Sequence, residues 1–281
     1  MPSDLPEWLT LAHQLGVHAL PAFYLGLALW LLLVSATWWL TRTHWLPHTQ
    51  RRLSPSASLG LHLALGFAAV LAAAALFAEI AEHLGTATQL GPVGQLDDAL
   101  SSTLRQTVSR PTLQAFAWVT HFGDTATLTG LCTAVALWLL WRQRRGLALG
   151  WVLAVAGNSI LNVSLKGIFE RVRPLHEHGL AMAQGYSFPS GHSSGSVVAY
   201  GMLAYVVLRN LPATAPRWVG LPVLLLAATI AFATGWSRVF LQVHYASDVL
   251  AGFASGLAWL VVCISGLETV RYRQRTGLGP E

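Results

Sequence analysis

The chain has 281 residues, of which 54% are hydrophobic and only 10% charged, whereas a soluble domain carries roughly a quarter charged residues. With a mean hydropathy of +0.51, this composition excludes an ordinary soluble globular protein. The net charge of +5 comes mostly from basic residues in short loops between apolar runs, which excludes a nucleic-acid-binding stripe.

Residues 1–18 carry Asp4 and Glu7 and no Lys or Arg, so they lack the basic region of a secretory signal. Leu20 to Leu40 is a first span of about the ~20 apolar residues that cross a bilayer. Arg42 to Arg52 is a basic loop, and Leu59 to Phe77 is a second span containing His62, which is expected to bond a backbone carbonyl. Leu96, Leu100, Leu104 and Val108 recur every fourth residue, with Asp97 read as an N-cap. This predicts an amphipathic helix too polar to span. A third span follows over Thr125 to Trp141, with Asp124 as its helix cap.

Arg142 to Arg145 is a tight basic turn, and a fourth span runs from about Leu147 to Phe169. The loop after it carries His176, Glu177 and His178, read as solvated. Ser193 to Leu208, Val219 to about Trp236, and Ala246 to Leu267 complete seven spans. The last contains Gly252-x-x-x-Gly256, a close-packing pattern. Cys132 and Cys263 lie inside apolar runs and read as packing residues. The twelve tryptophans lie largely near span ends, as an interfacial belt would.

Alternation of seven spans puts Arg42/Arg51/Arg52, Arg142/Arg144/Arg145, Arg209/Arg217 and Arg271/Arg273/Arg275 on one side. The positive-inside rule makes that side cytoplasmic. The N-terminus is then outside and the C-terminus inside. Three polar segments meet on the outer face: the end of the fourth span, Phe188–His192, and Ser237–His244.

These segments hold a coherent set of groups. Pro189-Ser190-Gly191-His192 opens a helix whose free N–H groups make an anion site. Lys166, the single lysine, and Arg173 are seven residues apart and are expected to share a helix face. Arg238 is a third cation, and His244 can reach Asp248 across one helical turn. Three cations, helix N–H groups and a Ser hydroxyl can surround a phosphoryl group. One imidazole can attack phosphorus while the other protonates the departing oxygen. With one Asp and no ligand spacing, the set requires no metal and no cofactor.

Lys166-(six residues)-Arg173-Pro174, Pro189-Ser190-Gly191-His192 and Ser237-Arg238-(five residues)-His244-(three residues)-Asp248 resemble the three-part signature of the type-2 phosphatidic acid phosphatases. That family shares its site with vanadium haloperoxidases and glucose-6-phosphatases. The resemblance covers about residues 57–267. It implies an all-α polytopic membrane bundle with a six-helix core, to which the first span is an addition. It also implies that His244 is the nucleophile forming a phosphohistidine, oriented by Asp248. His192 is then the general acid, while Lys166, Arg173, Ser190, Gly191 and Arg238 hold the phosphate. Arg171 lies outside the pattern and is left out of the site.

The expected substrate is a phospholipid or polyprenyl phosphate: phosphatidic acid, phosphatidylglycerol phosphate or undecaprenyl diphosphate. A lipid phosphotransferase using the same intermediate and a non-catalytic lipid-phosphate binder or translocator are the alternatives. Residues 1–56 form an N-terminal region with the added span, 57–267 the phosphatase domain, and 268–281 a basic cytoplasmic tail. Short loops are expected of a bacterial inner-membrane protein, with its site facing the periplasm.

Overall fold

The computed structural model describes residues 6–45, 53–86, 89–175, 179–212 and 214–276. Expectations that fall on Arg51, Arg52 and the His176–His178 group lie outside these residues. Among the described residues the regular structure is helical, with one isolated bridge between Gly85 and Leu90.

Ten α-helices follow in order among the described residues. They are α1 (Glu7–Val17), α2 (Ala19–Leu40), α3 (Pro55–Glu82), α4 (Pro92–Thr107), α5 (Arg110–Val119), α6 (Thr125–Trp141), α7 (Arg145–Phe169), α8 (Gly191–Asn210), α9 (Gly220–Phe240) and α10 (Ala246–Thr276). Among the described residues six stretches are long and apolar enough to cross a membrane: α2 with the turn after it, α3, α5 with α6, α7, α9 and α10. Helix α8, expected as the fifth of seven spans, is not among them. Its first turns are Gly-His-Ser-Ser-Gly-Ser. Those serines are tolerated because α8 is the central helix, packed on α7, α9 and α10, and Ser193, Ser194 and Ser196 are fully buried in protein. A helix shielded by its neighbours does not need an apolar surface on every side.

Helix α3 packs on α10, and α2 packs on α9. The pattern Gly252-x-x-x-Gly256 lies where α10 crosses α8. A Cβ on Gly252 would stand 2.6 Å from the Ser190 carbonyl oxygen, and one on Gly256 would stand 2.9 Å from Ser194 Cα. Absence of a side chain at both positions allows the two backbones to touch.

Several elements differ from expectation. Residues 7–17 form a helix, α1, which pairs with α4 and brings Gly16 against Thr103. Helix α4 begins at Pro92 with Gly91 as N-cap, so Asp97 lies inside it and its carboxylate is free for tertiary bonds. Leu104 faces the core beside Val239 and Val249, while Arg105 is exposed. Helix α9 continues to Phe240, so Ser237 and Arg238 are helical rather than part of a link. Helix α10 runs unbroken to Thr276, so the expected boundary at residue 267 falls within it. His62 Nδ1 lies 2.5 Å from the Ser58 carbonyl one turn earlier.

Candidate active site

The helices run alternately up and down, so residues distant in sequence meet at one end of the bundle. Lys166 ends α7, His192 begins α8, Arg238 ends α9, and His244 and Asp248 stand at the entry to α10. The connecting loop is pinned by Phe188, which is fully buried between Phe169 and Phe77, with ring centroids 4.9 and 5.2 Å away. This aromatic clamp fixes the chain two residues before Ser190.

Lys166 and Arg173 do not share a helix face. Helix α7 ends at Phe169, and Glu170 adopts a left-handed conformation with φ of 46°. Such a residue terminates a helix because the next peptide cannot continue the ladder. The two cations nevertheless converge, since both donate to the Tyr186 carbonyl. Arg173 also donates through Nε to the Gly185 carbonyl at 2.9 Å and through Nη1 to the Val243 carbonyl at 2.6 Å. The same Nη1 lies 3.0 Å from His244 Nε2.

His244 is buried, as is Asp248. His244 Nδ1 faces Asp248 Oδ2 at 3.3 Å. A carboxylate only accepts, so it selects the Nδ1–H tautomer and leaves a lone pair on Nε2. Burial holds the imidazole well below its usual pKa; Asp248 opposes this without overcoming it, and Arg173 and Arg238 reinforce it. The ring is therefore neutral at pH 7, the state a nucleophile needs.

Asp248 is itself held on all sides. Its Oδ2 accepts from the Ser187 hydroxyl and, at 2.9 Å, from the Tyr245 N–H; its Oδ1 accepts from Arg171 Nη1 at 2.6 Å. Arg171 also donates to Asp97 Oδ2 at 2.9 Å and stacks over the Tyr245 ring at 4.1 Å. Ser247 closes the network, with its N–H 3.1 Å from Asp97 Oδ1. Burial pushes the Asp97 carboxyl up, partly offset by Arg171. Arg171, left out of the sequence-derived set, is thus a brace behind the His244–Asp248 pair. Asp97, Ser187 and Ser247 were also missed. Their partners lie 61 to 150 residues away, so no local spacing signals them.

The Pro189–His192 turn is built by close packing. The Phe188–Pro189 peptide is cis; Ser190 is the N-cap of the helix, and Pro189 stands before it. Ser190 N–H donates to the Asp248 carbonyl at 2.9 Å, and its Oγ accepts from the Ser193 N–H at 3.3 Å. The Ser190 hydroxyl is therefore turned into the helix as a cap. Asn162 donates to the Pro189 carbonyl at 3.3 Å, and its Oδ1 would stand 2.9 Å from a Cβ on Gly191. The N–H groups of Gly191 and His192 open the first turn, where no helix carbonyl precedes them.

His192 Nε2 lies 3.0 Å from Asp124 Oδ1. Asp124 occupies the N-cap position of α6, yet its side chain caps nothing, contrary to the expected role. Arg238, only 4% exposed, donates to Thr120 Oγ1 at 2.6 Å, and its buried Nε has no partner among the described residues. A buried guanidinium N–H without an acceptor is costly unless an anion completes it.

Three cations, an open helix start and two histidines, each beside a carboxylate, at one end of an apolar helical bundle define an integral membrane protein equipped for phosphoryl chemistry. A family model described as the PAP2 superfamily matches residues 146–272. Phosphatidylglycerophosphatase B of Bacillus subtilis is 31% identical over 191 residues, 65% of this chain and 89% of that protein. The putative undecaprenyl-diphosphatase YbjG of Escherichia coli is 33% identical over 138 residues, 47% of this chain and 62% of that one. Bovine glucose-6-phosphatase 3 is 31% identical over 163 residues, 51% and 46% of the respective chains. The crystal structure of a transmembrane PAP2-type phosphatidylglycerolphosphate phosphatase from B. subtilis superimposes with a TM-score of 0.64 at 27% identity, covering 72% of this chain and 96% of that one. The chain belongs to the PAP2 superfamily, whose members include membrane phosphatases of lipid metabolism.

Proposed function

We propose that this protein hydrolyses a lipid phosphate through a phosphohistidine on His244, without a metal. The observation that carries the reading is the orientation of His244: Nδ1 on Asp248, and Nε2 beside Arg173 Nη1 at 3.0 Å. Arg173, Lys166, Arg238 and the first turn of α8 grip the phosphoryl oxygens and offset charge in the transition state. The Nε2 lone pair forms a bond to phosphorus as the bond to the leaving oxygen breaks. His192 gives its proton to that oxygen. Asp248 stabilises the cationic, phosphorylated imidazole. In the second step His192 takes a proton from water, the water oxygen attacks phosphorus, and the P–N bond breaks to release inorganic phosphate.

Phosphatidic acid, phosphatidylglycerol phosphate and a polyprenyl diphosphate are the candidate substrates. The relatives named for phosphatidylglycerophosphatase and undecaprenyl-diphosphatase activity support the last two. The site is assigned to the outer face. Arg144, Arg145, Arg209 and Arg271 gather around one groove, and the helices carrying them put it at the end remote from His192 and His244. In the positive-inside sense that end is cytoplasmic. Residues 1–56 are then an addition to a phosphatase domain beginning near residue 57.

The test is phosphate release by purified protein across a panel of these lipids with EDTA present. Activity should survive chelation, and vanadate, which can mimic the trigonal-bipyramidal transition state, should inhibit. An acid-labile, base-stable label should form on wild-type protein and be absent from His244→Ala. Loss of activity in EDTA with recovery in Mg²⁺ would overturn the metal-free mechanism, and label retained in His244→Ala would overturn the choice of nucleophile.

A further inference from the structure

The surroundings of His192 go beyond a lone general acid. Asp124 stands at the start of α6, but its carboxylate accepts no hydrogen bond from that helix. Its two oxygens are directed elsewhere: Oδ1 lies 3.0 Å from His192 Nε2, and Oδ2 lies 2.6 Å from His121 Nδ1. The neighbouring Gly123 admits the ring. A Cβ there would stand 2.8 Å from His192 Cδ2 and 3.1 Å from Cγ, so no side chain fits between this backbone and the imidazole. The Cδ2–Nε2 edge of the ring is therefore committed to Gly123 and Asp124, and the opposite edge carries Nδ1.

We propose that Asp124 is the positioning residue of His192, holding Nε2–H so that Nδ1 is the atom that gives and takes the reaction proton. The inference rests on the reading of His192 as the general acid. A carboxylate accepts only, so Nε2 keeps its hydrogen throughout. In the first step the imidazolium transfers its Nδ1 proton to the leaving oxygen. The product is the neutral Nε2–H tautomer, which Asp124 continues to hold. In the second step the Nδ1 lone pair accepts a proton from the attacking water, which restores the imidazolium. The charged groups facing the ring are Arg238 on α9 and Arg173 on the loop, both cationic, and Asp124. Burial, reinforced by the two cations, holds the His192 imidazole well below its usual pKa, and Asp124 supplies the negative charge that opposes this in a ring that must become cationic to act as an acid. His121, exposed at the surface, braces the second oxygen and keeps the carboxylate from rotating away.

The test uses full-length purified protein with Asp124→Asn, Asp124→Ser, Asp124→Glu and His192→Ala. Each is given, in a single turnover that reads release of the alcohol or phenol and so isolates the first step from the shared hydrolysis of the phosphoenzyme, phosphatidic acid, whose alkoxide leaving group needs a proton, and an aryl phosphate, whose leaving group does not. General acid catalysis is typically worth ~10²–10⁴-fold. Asp124→Asn and Asp124→Ser should therefore each lower the single-turnover rate on phosphatidic acid by about 10²-fold and on the aryl ester by less than about 5-fold. The pH at which activity on phosphatidic acid falls as the solution becomes more basic should move lower in both variants. Asp124→Glu should recover part of the loss. Asp124→Ser retains a capping oxygen, so wild-type behaviour in it would make Asp124 a helix cap and overturn the proposal. Equal losses on both substrates, or an unmoved pH limb, would overturn it too. Should His192→Ala lose the two substrates equally, the general-acid reading itself fails. Should His192→Ala discriminate between them while Asp124→Asn does not, only the Asp124 assignment fails.

Discussion

Replacing Arg171 by Leu removes the cation between two buried carboxylates. Arg171 is 13% exposed, Asp97 1% and Asp248 0%, with N–O distances of 2.9 and 2.6 Å. Removing one partner of a buried ion pair typically costs ~3–5 kcal/mol, because the remaining charge is left in a poor solvent. Here two carboxylates are left, and Asp248 keeps the Ser187 hydroxyl and the Tyr245 N–H as donors while Asp97 keeps Ser247. Asp97 is therefore the group expected to take up a proton. Its carboxyl is already raised by burial, and loss of Arg171 raises it further. The sign follows from linkage: a carboxyl raised on folding favours the folded state at low pH, and that contribution is lost as pH rises through the folded pKa. Arg171→Leu should thus unfold more readily at pH 8 than at pH 5, by a wider margin than wild type. Thermal unfolding in detergent across this range measures it. Asp97→Asn in the Arg171→Leu background should recover part of the loss and flatten the pH dependence, with a coupling of about 0.5–3 kcal/mol between the two sites. A variant within about 0.5 kcal/mol of wild type at every pH would refute the bracing role.

Arg173→Lys should behave differently. It keeps the charge but removes the planar fork, so activity should fall at least tenfold (~1.4 kcal/mol) with little change in unfolding temperature, as read by parallel phosphate-release and melting assays. Gly252→Ala places a Cβ 2.6 Å from the Ser190 carbonyl and forces α8 from α10, at a cost of about 1–3 kcal/mol. Melting should report that cost, and phosphate release should fall with it because Ser190 begins the His192 turn. For orientation, a Cys at Gly179 should react with a membrane-impermeant thiol reagent in intact cells and one at Gln143 should not; the reverse would put the site on the cytoplasmic face.

Three features of the chain are legible without coordinates because each depends on short-range rules. Apolar runs of bilayer length leave the backbone no alternative to helices, so the all-helical membrane class follows from composition and run length. Alternation of spans then brings Lys166, Arg173, His192, Arg238, His244 and Asp248 to one end of the bundle. Gly252-x-x-x-Gly256 likewise announces a close helix crossing before the partner helix is known.

Partnership was decided by the tertiary structure. The spacing of Lys166 and Arg173 suggests one helix face, but the left-handed Glu170 ends α7 and the two side chains meet through a loop carbonyl instead. Asp97 and Asp124 both read locally as helix caps, since a carboxylate before an apolar run has that use in any helix. In the folded chain they serve Arg171 and His192, 74 and 68 residues away. Side chains that meet across such separations leave no periodic trace in the sequence. Which carboxylate stands behind which histidine therefore depended on how α4, α6, α8 and α10 pack against one another.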